Sequence, residues 1–288
     1  MDQNGTMMQT SGAQSVDRTL SLLAMVGRYA ERGVSLSGIV TESGLSKPTA
    51  RRLLLALMRA GLIEQNETDR RYYLGEEAYV LGSLASRRFG LLQLSMDSLQ
   101  RLSKITEDTS FLSVRRGALS ICLYREEGSY PVRTHALQAG FEHPLGAGAG
   151  SLAILSALPD EEVEAILAAN QNLLEEQYPL LPPERIRKDV AVTRARGFAL
   201  NPGLVVANSW GVGKVILSPD GRPAGALSIA AIDSRLQKAR QTELAGYLAQ
   251  EASIIERKLV DMFRAKGTPA VNGSRMKAIL HTAKKYRK

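Results

Sequence analysis

The stretch from Ser35 to Gly61 constrains the fold more than any other part of the 288-residue chain. Ser35 is placed to cap a short helix, Leu36 to Ser43, which Gly44 stops, and Ser46 to cap a second that ends at Gly61. Pro48 falls in the first turn of the second helix, where the amide hydrogen it lacks would have had no partner. On a wheel of about 100° per residue, Ala50, Leu53, Leu54 and Leu57 form one stripe, while Pro48, Arg52, Leu55, Ala56 and Arg59 lie opposite. Such a stripe needs a further helix to cover it. Val16, Leu20, Leu23 and Ala24 recur at helical spacing upstream, with Glu31-Arg32-Gly33 as the expected end of that helix. After Gly61, Leu62-Ile63-Glu64 and Arg70-Arg71-Tyr72-Tyr73-Leu74 read as two short strands around the polar turn Asn66 to Asp69. Three helices followed by a hairpin make a winged helix-turn-helix.

The chemistry of its outer face points to double-stranded DNA. Ser46, Lys47, Pro48, Thr49, Arg51 and Arg52 gather near the amino end of the third helix, where free amides and basic side chains can approach phosphate and base edges. Arg52 is the first choice for a guanine, because its planar fork can meet O6 and N7 together. Arg59 shares this face, and Leu55 is placed either to touch a thymine methyl or to pack against a neighbour. Arg70, Arg71 and Tyr72 on the hairpin are expected at the backbone phosphates. The competing reading is an ordinary three-helix core with solvated arginines; the basic hairpin shifts the balance toward DNA.

Net charge adds little to this. The formal excess of +8 resides after Phe263, where eight basic residues and no acidic one occur, so the rest of the chain is balanced. Residues 264–288 are expected to be a flexible basic tail, and residues 1–14, rich in Met, Gln, Ser and Thr, a mobile arm. The one cysteine, Cys122, fits a reducing, cytoplasmic compartment, and neither a signal sequence nor an apolar run of about 20 residues is present. No membrane partner is expected.

At this length two domains are expected. Residues 15–75 form the winged domain and 76–90 a linker helix, within a largely helical stretch from Glu76 to Glu107. Residues 91–263 then alternate. Strands are expected at Thr109 to Arg115, Leu119 to Glu126, Val132 to Leu137, Gly211 to Leu217 and Pro223 to Ile232. Helices are expected at Gly148 to Ala157, Glu161 to Ala169, Pro183 to Arg196 and Gln237 to Phe263. The fold class is α+β.

Catalytic signatures are weak. His135, His143 and His281 have no metal-ligand spacing, Cys122 sits in an apolar strand pattern that suits an inert buried thiol, and Asp160 to Glu164 suit the first turn of a helix. Neither catalytic residues nor metal or cofactor are proposed. Gly146-Ala147-Gly148-Ala149-Gly150 precedes a helix, so its amides can cradle an anion or simply allow close packing; the G-K-[ST] of a nucleotide loop is missing. Trp210 reads as a packing anchor, with ligand stacking as the alternative.

The segments S-V-D-R-T-L-S-L-L, L-S-K-P-T-A-R-R-L-L-L-A-L-M-R-A-G-L-I-E, H-P-L-G-A-G-A-G-S-L-A-I-L and G-A-L-S-I-A, in this order from Ser15 to Phe263, resemble the IclR-type family of bacterial transcriptional regulators. The resemblance implies a winged helix-turn-helix, a linker helix and a carboxy-terminal effector-binding domain of GAF-like fold. It implies homodimers, or dimers of dimers, on operator DNA, and a small carboxylate effector against the glycine-rich loop. Carried over by position, the effector contacts fall on Gly148, Ala149 and Ser228, with Asn201 as the nearest polar group where relatives often carry an acid. The chain also departs from the family around Gly211 to Lys214, where a cysteine and an A-x-P-V run are missing. The expectation is an effector-responsive transcription factor. Two rivals are an enzyme with an accessory helix-turn-helix and an interaction or ligand-sensing module that no longer binds DNA.

Overall fold

The computed structural model describes residues 13–265 apart from Glu31 and residues 133–136, with no side-chain description at 86–89 and 265. The amino-terminal arm before residue 13 and the basic tail after Ala265 lie outside the described residues. Two compact units meet in sequence at Phe89 and Gly90.

The first unit holds α1 (Gln14–Arg28), α2 (Leu36–Ser43), α3 (Lys47–Arg59), β1 (Ile63–Gln65), β2 (Tyr72–Leu74) and α4 (Glu76–Phe89). Leu22, Met25 and Val26 of α1 meet Ile39 of α2 and the α3 stripe Ala50, Leu53, Leu54 and Leu57, all buried. The Ser35 side chain accepts from the Gly38 amide at 3.1 Å, which starts α2, and Gly44 ends it in the left-handed region at φ 65°. Ser46 has the backbone of a cap, but its hydroxyl pairs with that of Thr49 at 2.9 Å and caps no amide.

Helix α1 differs from expectation at both ends. It begins at Gln14, inside the segment read as an arm, and stops at Arg28, short of Gly33. Gly33 has φ 63° for another reason: the Tyr73 ring of β2 lies on it, and an added Cβ would fall 2.4 Å from Cζ. A glycine required by tertiary contact had looked like a helix cap.

The second unit holds α5 (Leu91–Thr106), β3 (Thr109–Arg116), β4 (Leu119–Glu126), β5 (Glu142–Pro144), α6 (Ala149–Ser156), α7 (Asp160–Ala169), α8 (Gln171–Gln177) and α9 (Pro183–Arg196). It continues with β6 (Ala199–Pro202), β7 (Ser209–Leu217), β8 (Pro223–Ile232), a short 3-10 turn and α10 (Lys238–Ala265). Its six strands are ordered β5-β4-β3-β8-β7-β6, every neighbouring pair antiparallel. The stretch Glu76 to Glu107 is two helices broken at Gly90. Most of the strand expected at Val132 to Leu137, residues 133–136, lies outside the described residues; among the described ones, Glu142–Pro144 pairs with β4 as the outermost strand. A proline there is tolerated because an edge strand has one unpaired side. Helix α8 and strand β6 were not foreseen; both are too short to show a period.

The two faces of this sheet have different chemistry. Toward α5 and α10 it presents Leu112, Val212, Leu227 and Ile229, which close a dense aliphatic core with Leu99, Leu244, Leu248 and Ile255. Toward α6 the alternate positions are Phe111 and Ser113, Ser120 and Cys122, Ser209, Gly211 and Gly213, and Ala226, Ser228 and Ala230. Small residues let α6 lie close. A Cβ on Gly213 would sit 2.4 Å from the Ala149 carbonyl oxygen, so the helix start rests directly on β7.

Candidate functional site

Helix α3 presents Lys47, Pro48, Arg51, Arg52, Leu55 and Arg59 to solvent, with Ser46 exposed ahead of it and Thr49 half-buried. Arg70 is exposed on the hairpin. Lys47, Arg51, Arg52, Arg59 and Arg70 have no ion pair or side-chain hydrogen bond among the described residues. By contrast Arg28, in the same unit, is paired with Glu42 at 2.5 Å, and Tyr29 donates to that carboxylate at 2.8 Å. Cations without internal partners on a face whose other side is core are available to a polyanion.

The hairpin is shaped before any DNA arrives. The Asn66 side-chain oxygen accepts from the amides of Thr68 and Asp69 at 2.9 and 3.1 Å, and Asp69 accepts from the Arg71 amide at 2.9 Å. Arg70 follows in the left-handed region at φ 59°. One hairpin expectation needs correction. Tyr72 is 5% exposed, packed in the core and paired through its backbone with Val34, so its ring does not reach a phosphate. Arg71 donates from Nη1 to the carbonyls of Arg32 and Gly33 at 3.0 and 3.2 Å. Its guanidinium thus also pins the hairpin to the loop after α1.

This separates the two arginines experimentally. Arg70→Gly removes a charge at a backbone angle glycine adopts freely, so operator and random DNA should weaken alike, and the slope of log affinity against log salt should fall by about 1, with an unchanged or slightly higher melting temperature. Arg71→Ala should weaken DNA binding and lower the melting temperature together. Salt titrations beside thermal melts distinguish the pair.

In the second unit the amino end of α6 opens on a cavity walled by β3, β4, β6, β7 and β8. Gly148 has φ 87°, no side chain caps the helix, and the amides of Ala149 and Gly150 have no hydrogen-bond partner among the described residues. All four expected effector residues, Gly148, Ala149, Asn201 and Ser228, line this cavity. So do residues the sequence did not single out as ligand contacts: Ser113, Ser120, Ser209 and His143. Ser113, Ser120, Ser209 and Ser228 are buried, yet none of their hydroxyls has a hydrogen-bond partner among the described residues. The Ser228 and Ser113 oxygens lie 3.1 and 3.4 Å from the place a Cβ on Gly150 would take. Asn201 accepts from the Leu204 amide at 3.2 Å, and its NH2 has no partner among the described residues.

Among the described residues, the cavity lining holds no Arg, Lys, Asp or Glu. Burial pushes the Cys122 thiol up to about 12, consistent with an inert thiol, and the same burial lowers the imidazole of His143. Trp210 both lines the cavity and packs on the aliphatic core. No cluster of three His, Cys, Asp or Glu that could hold a metal occurs among the described residues.

Family models match both units. The IclR helix-turn-helix domain matches residues 15–67, and the bacterial transcriptional regulator IclR C-terminal domain matches residues 84–257, more than half the chain. The chain belongs to the IclR family. It is therefore a transcriptional regulator with a helix-turn-helix DNA-binding domain and a carboxy-terminal ligand-binding domain, not an enzyme, and modulation of DNA binding by the ligand is typical of such proteins. Among curated IclR relatives, the HTH-type regulator XynR of Escherichia coli is 27% identical over 89% of this chain and 98% of its own. The acetate operon repressor of Salmonella typhimurium is 26% identical over 84% and 89%. Among solved structures, an IclR homologue of Microbacterium hydrocarbonoxydans, complexed with 4-hydroxybenzoate, shares the fold with a TM-score of 0.68 at 21% identity, over 86% of this chain and 99% of that one. No helix among the described residues is long and apolar enough to cross a membrane.

Proposed function

We propose that this IclR regulator reads a double-stranded operator through Ser46, Lys47, Thr49, Arg51, Arg52 and Arg59, with Arg70 on phosphate, and that a small organic acid under α6 sets the affinity. The cavity carries this reading: its described lining is rich in donors with no described partner, bears no Arg, Lys, Asp or Glu, and has free amides at the positive end of a helix. An anion is favoured there, and a carboxylate can take the amides of Ala149 and Gly150 together with the Ser228 hydroxyl. The 4-hydroxybenzoate of the Microbacterium homologue is an acid of the same charge. Here about 60 Å3 is open to the centres of water-sized spheres, against the roughly 150 Å3 of an engineered cavity that admits benzene. Short acids fit without rearrangement, whereas an aromatic ring needs the wall to move.

In this reading residues 15–75 bind DNA, 76–90 link, 91–263 sense the effector, and the protein works in the cytoplasm as a homodimer or a dimer of dimers. Exposed apolar side chains within the first unit, Val16 and Leu20 on α1 and Tyr79, Leu81 and Leu84 on α4, support self-association. Thermal melts of the full chain against a panel of acids and neutral compounds test the effector class. The right acid at one hundred times its Kd should add about 2.7 kcal/mol of stability. Shifts with neutral compounds alone would contradict the acid reading.

A further inference from the structure

The family match stops at residue 257, yet the chain runs on to residue 288, and this last stretch is the most one-sided in charge. Beyond Ala265 come Lys266, R-M-K at 275–277 and K-K-Y-R-K at 284–288, seven cations with no Asp or Glu among them. Before residue 264 the two signs cancel, so the formal excess of +8 belongs to Arg264 and this segment together. A run of one sign that carries no counter-charge of its own is matched to a polyanion.

The described residues fix where the segment is attached. Helix α10 lies antiparallel to α5: Arg101 pairs with Glu251 at 2.7 Å, and further along Lys258 reaches the Leu94 carbonyl at 3.3 Å and Asp97 at 3.4 Å. As α10 advances from Glu251 to Lys258, its partners on α5 step back from Arg101 to Leu94. Leu259 shares a core with Leu91, the first residue of α5, and the rest of α10 runs on past it to Ala265. Leu91 follows Gly90, where the chain passes from the winged unit into the second. The basic segment is therefore rooted at the end of the second unit where the link to the DNA-binding unit begins. Along that link α4 has 14 residues, about 21 Å of helix, and the hairpin strand β2 ends just before it. The 23 residues from 266 to 288 can span up to about 80 Å. DNA held by the winged unit is within that span.

We propose that residues 266–288 are a second DNA-binding element of this regulator, which grips backbone phosphates beside the operator and reads no bases. Attachment selects the partner. Once the winged unit holds an operator, the neighbouring duplex meets a tethered polycation at an effective concentration of about millimolar for a short link. An anionic membrane has no such advantage. Five of the seven cations are lysines, point charges without the planar fork that arginine brings to a guanine, so phosphate suits them better than base edges. The proposal rests on the DNA binding of the family and is independent of the base contacts of α3 and of the effector.

Salt titrations of the full chain on operator and random duplexes test it. They are run beside a variant carrying Lys266→Gln with the same change at the other six basic positions, and a second in which Lys and Arg are exchanged at those positions. Each phosphate neutralised contributes about 0.9 to the slope of log affinity against log salt. With three or more of the seven engaged, the Gln variant should lose about 3 to 6 from that slope, and at about 100 mM salt both duplexes should weaken alike by roughly tenfold or more. The ratio of operator to random binding and the melting temperature should hold, and the exchange of Lys and Arg should leave the slope as it was. On a duplex trimmed to the operator the loss should shrink, because the contact lies beside the site. An unchanged slope in the Gln variant overturns the proposal, whether the segment is then found on anionic phosphatidylserine vesicles or on the second unit. A loss confined to the operator overturns it too, since that is the signature of base reading.

Discussion

Arg52→Ala is expected to weaken operator binding by about 1–3 kcal/mol, roughly 5- to 150-fold, and to relax the preference at one base pair. Random DNA should lose far less, because only a general electrostatic share is removed. The fold should be indifferent, since the Arg52 side chain has no internal partner and lies opposite the buried stripe of α3. Adding Arg51→Ala should deepen the loss, although neighbouring substitutions on one helix turn need not add. Anisotropy titrations on operator and random duplexes at one salt concentration, beside a thermal melt, check all three points. Equal losses on both duplexes would remove the base-reading role and leave a phosphate contact.

The second large effect is expected from Gly213→Ala. The added methyl would meet the carbonyl oxygen of Ala149 at 2.4 Å and its carbonyl carbon at 2.6 Å, both backbone atoms that cannot swing aside. Relief requires α6 to lift from β7, which displaces the amides of Ala149 and Gly150 and distorts the cavity. Overpacking of this kind destabilises by about 1–3 kcal/mol. Effector affinity should fall by more than tenfold while unliganded operator binding persists, because the winged domain has its own core. Gly246→Ala is the control: that α10 position has nothing within 4 Å of an added Cβ, and replacing a helical glycine there should stabilise by up to about 1 kcal/mol. Denaturation curves and calorimetry on both variants separate a local lesion from general fragility. An unchanged effector Kd in Gly213→Ala would mean that the ligand does not depend on the seat of α6.

The winged domain was legible because its signals are local. The stripe Ala50, Leu53, Leu54 and Leu57 recurs at the helical period, and Ser35, Gly44 and Pro48 mark helix boundaries by their own backbone chemistry. Misreadings arose where a distant residue decides. Gly33 answers to the ring of Tyr73, and Tyr72 pairs with Val34 and packs into the core. Which side of a three-residue strand points inward is set by pairing, and three residues are too few to show an alternation.

The cavity was legible only in part. Gly148 and Ala149 stand out as a glycine-rich helix start, and Ser228 came through resemblance. The other hydroxyls lie on separate strands, and the sheet order places β8 beside β3, so Ser228 meets Phe111 across more than one hundred residues of chain. A usable signal was nevertheless present. Ser209-Trp-Gly-Val-Gly213 and Ala226-Leu-Ser-Ile-Ala230 alternate small residues with bulky ones, the mark of a sheet with one filled face and one open face. His143 gave no sign, because its hydrogen-bond partner Tyr178 comes from a distant part of the chain.

The central claim is that occupancy of the cavity and occupancy of the operator bias the same protein. It is tested most directly by reciprocal titration of the full chain, with an operator selected from random DNA and the acid of the panel that stabilises the chain most. Linkage requires that the factor by which saturating acid changes the operator Kd equals the factor by which saturating operator changes the acid Kd. The account predicts equal factors of about 5 to 150 in either direction, the usual range of coupling between sites, and their disappearance in Gly213→Ala. An acid that binds tightly in the cavity yet leaves the operator Kd unchanged would contradict it.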